Sequence, residues 1–155
     1  MKTNQILVLG LLLLAAAFQV NAQDNNIPLN EPNYNKPRMF NTMPTRIEIT
    51  PEKLNQLIAT PNGQTAAIPF NGQEEIHGDV ISAVTKYNNA IQSVVIRCAD
   101  FDGARLSISK VNMPDGTTNF TGRIISLRHG DLYQLIQEDA GWVLVKKNFY
   151  DLINE

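Results

Sequence analysis

Cysteine, histidine and charge are all scarce in this chain, and each scarcity excludes something. The single cysteine is Cys98. One thiol cannot close an internal disulfide, so the fold must be held by its apolar core. The paired cysteines of structural zinc sites are missing as well. A lipid-anchored leader needs a cysteine directly after its cleavage point, and none stands there. The two histidines, His77 and His129, have no ligand spacing on a shared helix, so no metal and no cofactor is expected. Charged residues make up 18% of the chain and the net charge is −2. With no basic surplus, nucleic acid and anionic membranes are not the expected partners. Long apolar runs are lacking too, with one exception at the start.

That exception reads as an export signal. Lys2 sits in a short polar lead, Ile6 to Phe18 is apolar but for Gly10, and Val20-Asn21-Ala22 supplies small or modest residues before Gln23. The run is shorter than the roughly 20 residues of a spanning helix. Residues 1–22 are therefore expected to be a signal peptide cleaved after Ala22. The product would be extracellular or periplasmic, with no integral membrane segment left. Residues 23–44 are rich in proline and asparagine, show no period, and read as a flexible N-terminal arm. Tyr34, Met39 and Phe40 are its anchoring side chains. Residues 45–155 form one globular domain.

Within that domain the pattern is strand and turn. Thr45 to Thr50 alternates polar and apolar residues. Thr50-Pro51-Glu52 then starts a short helix, with Leu54, Leu57 and Ile58 on one stripe. Gln64–Phe70 is a short strand that Pro69 places at an edge. Longer strands follow over Glu74–Tyr87, Ile91–Ala99, Ala104–Val111, Asn119–Leu127, Leu132–Gln137 and Trp142–Lys147. Asn71-Gly72, Asn88-Asn89, Asp102-Gly103, Met113-Pro114-Asp115-Gly116, His129-Gly130 and Ala140-Gly141 supply the turns. Asn148 caps a last short helix over Phe149–Ile153. Connections this short cannot carry the crossovers of a parallel sheet. The expected fold is mainly β: a single antiparallel β-sandwich or small β-barrel of about seven to eight strands. One short helix is expected near its start and one at the C-terminus.

Candidate chemistry is sparse. Arg128-His129-Gly130 matches the first residues of the histidine acid phosphatase signature, but the second arginine and the proline that should follow are absent, and a turn explains the tripeptide. Asp100-Phe101-Asp102-Gly103 resembles part of a calcium loop, yet Ala104 stands where a further ligand is needed, and a hairpin explains the Asp-Gly pair. Asn119-Phe120-Thr121 has the form of a glycosylation sequon on a strand. Glu74-Glu75 and Glu138-Asp139 flank turns. A catalytic set assembled in space would be Cys98 as nucleophile with His129 as base and Asp131 beside it, His77 being the other base available, or a carboxylate pair of the glycosidase kind. Cys98, however, shares a strand face with Val94 and Ile96, where a thiol is a small buried hydrophobe. Arg97 and Arg105 lie on the two strands joined by the Asp102-Gly103 turn, about equidistant from Phe101, and so lie close to opposite each other on the hairpin. An acidic group, on the protein or on a ligand, would relieve their repulsion, which makes them the candidate ligand-binding pair.

The reading that follows is an exported, non-catalytic binding or accessory module whose partner is a protein, a glycan or a cell-envelope component. The alternatives are a small exported hydrolase with a spatially assembled site, and an inhibitor or accessory subunit of a larger exported protein. Self-association through the Gln64–Phe70 edge is a further means of partnering.

Overall fold

The computed structural model describes residues 35–71, 74–139 and 141–153. Residues 1–22, expected to be an export signal, the first part of the expected arm, and Gly72, Gln73 and Ala140 lie outside the described residues. Eight antiparallel strands form one sheet: β1 Arg46–Ile49, β2 Thr65–Asn71, β3 Glu74–Lys86, β4 Ile91–Cys98, β5 Arg105–Asn112, β6 Thr118–Ser126, β7 Asp131–Glu138 and β8 Gly141–Asn148. β2 to β8 follow one another as a meander, and β1 adds to the far side of β8. The two edge strands, β1 and β2, approach each other without pairing, so the sheet curls into a nearly closed barrel. The core is thus enclosed by one curled sheet rather than by the two faces of a sandwich.

Two glycines permit the curl. A Cβ on Gly78 would sit 2.6 Å from the Arg97 carbonyl oxygen, and one on Gly122 would sit 2.7 Å from that of Ser107. Both occupy inward positions, opposite Cys98 and Ile108, where a side chain would force the strands apart. A bulge between Val80 and Ser82 adds local twist.

Helix α1, Pro51–Ala59, joins the two edge strands. The Thr50 side chain accepts from the Lys53 N–H, and Pro51 fills the first turn, where no amide donor is required. Leu54, Leu57 and Ile58 are buried, and the helix packs against β2, β4 and β5. Lys110 Nζ donates to Asn55 Oδ1 at 2.7 Å. After β8 the chain makes a 3-10 turn, Phe149–Ile153, in place of an α-helix. Phe149 and Tyr150 pack there with Leu132 in a second, smaller apolar cluster.

Residues 36–44, read from the sequence as arm, are packed on the end of the barrel. Phe40 and Met43 are buried in the main core. The Phe40 ring meets Phe101 edge-on at 5.3 Å and Tyr133 at 5.6 Å. The Met39 N–H donates to Asp131 Oδ2 at 2.6 Å, Lys146 Nζ donates to the Phe40 and Met43 carbonyls, and the Tyr133 hydroxyl donates to the Pro44 carbonyl. Burying a phenylalanine contributes about 1.5–3 kcal/mol, and these bonds settle polar groups that the docked segment takes out of water. The packed unit therefore reaches upstream of Thr45.

Candidate functional site

Side chains opposite one another on paired strands point to the same side. The inward positions of β4 to β6 hold Val94, Ile96, Cys98, Leu106, Ile108, Phe120 and Ile124, all buried. The outward positions hold Ile91, Ser93, Val95 and Arg97 on β4, Arg105, Ser107, Ser109 and Val111 on β5, and Asn119, Thr121, Arg123 and Ile125 on β6. No Asp or Glu occurs anywhere in these three strands.

Arg97 and Arg105 are direct cross-strand partners. Arg123 lies opposite Ser107, two residues from the position that faces Arg105. Three guanidinium groups thus share one face of three adjacent strands. Asp79 on β3 stands opposite Arg97, with the closest nitrogen and oxygen 4.0 Å apart and both side chains more than half exposed. Such a pair contributes little. Among the described residues, no carboxylate pairs with Arg105 or Arg123.

Beside this row, on the same face, lies a groove of about 360 Å³. Ser107, Ser109, Thr121, Arg123 and Gln134 line it together with Leu132, Leu135 and Leu152 of the 3-10 turn. The Ser93 and Ser109 hydroxyls are bonded to each other at 2.8 Å. The groove lies where β6 and β7 part: their pairing runs only from Arg123–Gln134 to Ser126–Asp131, so Thr121 and Gly122 pair with β5 alone and Leu135 with β8 alone, while β5 is paired along both sides. The side chains at the site offer guanidinium donors for anions, and hydroxyl and amide groups that both donate and accept.

The sequence-derived catalytic set does not form a bonded unit. Cys98 is 3% exposed, and burial pushes its thiol up to about 11, against a lesser lowering by a backbone hydrogen bond from Leu106. A nucleophilic thiol needs the opposite shift. His129 sits in a turn with its Nδ1 3.1 Å from the Pro37 carbonyl oxygen. Asp131 is buried and accepts from the docked arm. Each of the three serves a different neighbour. His77, the other base, is well exposed; its backbone N–H donates to Asp100 Oδ2 at 2.7 Å, and its ring Nδ1 lies 3.8 Å from the same oxygen.

Several acidic residues at the turns are likewise occupied. Asp102 accepts from Arg128 Nη1 at 2.6 Å, so the two aspartates of the calcium-like loop face different partners. Glu75 pairs with Lys53 at 3.1 Å, and Glu138 with Arg46. Among the described residues, no three His, Cys, Asp or Glu side chains gather as a metal site. A second groove of about 370 Å³, lined by Glu48, Glu138, Asp139 and Trp142, lies across β1, β8 and the β7–β8 turn.

Arg97 and Arg105 were legible from the Asp102-Gly103 turn alone. Arg123 and the hydroxyl row were not, because their placement needs a second register, fixed by the Met113–Gly116 turn. A further signal lay in the sequence: between Asp79 and Glu138, acids occur only in turns and at Asp131, where β7 begins. Comparison of the chain with protein-family models, with curated proteins and with solved structures gives no match.

Proposed function

We propose that this protein is an exported, non-catalytic binding module that takes an anionic partner on the outer face of β4 to β6. The observation that carries this reading is the charge on those strands: three arginines and no carboxylate, in a chain whose net charge is negative. Directly opposed cations destabilise a hairpin by themselves, and an anionic ligand turns that cost into binding. The adjoining groove supplies polar groups for orientation. The leader-like residues 1–22 support export. The buried, high-pKa thiol of Cys98 and its separation in bonding from His129 and Asp131 support a role without catalysis.

The test is binding to a soluble polyanion at rising ionic strength. Affinity should fall steeply with salt, because exposed charge pairs are screened within about 10 Å at 0.1 M. Arg105→Glu and Arg123→Glu should abolish binding, while Arg46→Gln, on β1 at the other side of the sheet, should leave it intact. Binding that survives both charge reversals would refute the reading.

A further inference from the structure

We infer that the anionic partner is an acidic polysaccharide, a chain of sugar carboxylates laid across β4, β5 and β6. This inference rests on the anion-binding reading above and narrows it to one ligand chemistry.

Three features select a sugar over a peptide or a nucleic acid. First, extended peptides commonly bind sheets by adding a strand to an edge. Here β4 and β5, which carry Arg97 and Arg105, are paired along their length on both sides. Second, sugar hydroxyls donate and accept at once. Ser107, Ser109, Thr121 and Gln134 line the groove with matching groups, where an acidic peptide would present mainly acceptors. Third, none of the described residues lining the groove is aromatic. Bases need such a platform for stacking, and an uncharged sugar would forgo its main apolar contact. Charge then has to supply the affinity. A chain running across the strands meets Arg97, Arg105 and Arg123 on neighbours about 4.8 Å apart, with the hydroxyl groups alongside.

The full exported chain would be titrated with polygalacturonate, poly-L-glutamate and dextran. Thermal midpoints would confirm that each variant remains folded. Polygalacturonate should bind at least about tenfold more tightly than poly-L-glutamate, and dextran should not bind, since tenfold is about 1.4 kcal/mol and one or two good hydrogen bonds supply it. Arg105→Ala and Arg123→Ala should each weaken polygalacturonate binding about tenfold. Thr121→Val, which keeps the shape and removes the hydroxyl, should weaken polygalacturonate several-fold and leave poly-L-glutamate unchanged. Equal or tighter binding of poly-L-glutamate, or any binding of dextran, would overturn the polysaccharide inference while leaving an anion-binding face. Failure to bind either polyanion, or binding indifferent to both arginine variants, would overturn the inference and the underlying reading together.

Discussion

At the residue scale, two buried titratable groups have consequences that can be measured. Cys98 lies inside the barrel with its thiol pushed up to about 11 by burial. The native protein should resist a thiol reagent at neutral pH and react fully in denaturant. Rapid native labelling would restore the hydrolase alternative. Tyr133 is the second case. Burial first, and the charge of Asp131 second, raise its phenol from 10.0 to about 12. The folded state thus favours the neutral phenol. Its stabilising effect is complete below the unfolded value of 10.0 and is lost as pH climbs towards 12. Cys98 acts in the same direction, so the comparison belongs in a Cys98→Ala background. There, urea midpoints should fall between neutral pH and about pH 11, and Tyr133→Phe should flatten that fall. An unchanged pH dependence in the Tyr133→Phe protein would show that the hydroxyl is not buried against Pro44.

At the element scale, the docked segment before β1 behaves as part of the fold. Phe40 fills the space between Phe101 and Tyr133. Phe40→Ala should cost about 3–5 kcal/mol, read as a drop in the denaturant midpoint. A loss below about 1 kcal/mol would mean that the segment is not seated there. This element was the least legible in the sequence. Phe40 and Met43 bury themselves against strands about ninety residues away (Tyr133 accompanies Pro44 through its hydroxyl), and a short proline-rich stretch carries no period to announce that. The strands were legible for the converse reason. Their alternation is local, and so is their turn chemistry: Gly103, Gly116 and Gly130 all adopt positive φ, the conformation that those turn sequences favour. Closure was legible in part: a small barrel was one of the two expected forms, and Gly78 and Gly122 break their strands in the sequence as a bend and a bulge, but that a side chain there would strike the neighbouring strand, and where the register shifts fall, alternation alone does not specify.

At the scale of the whole molecule, the barrel separates its chemistry by side. Cys98, Tyr133 and Asp131 are enclosed or pinned by the docked segment. The second groove gathers carboxylates, and the outer face of β4 to β6 gathers arginines and hydroxyls. Half of that last arrangement could be read from one hairpin, because Arg97 and Arg105 are equidistant from Phe101. The other half required the β5–β6 register that brings Arg123 to the same side. The most direct test of an anion-binding face is a nuclear magnetic resonance titration that follows the arginine side-chain Nε–H signals as polygalacturonate is added. Arg97, Arg105 and Arg123 should shift together and saturate at one concentration, while Arg38, Arg46 and Arg128 stay in place. Uniform small shifts across all the arginines, or shifts confined to residues away from β4 to β6, would contradict the proposed face.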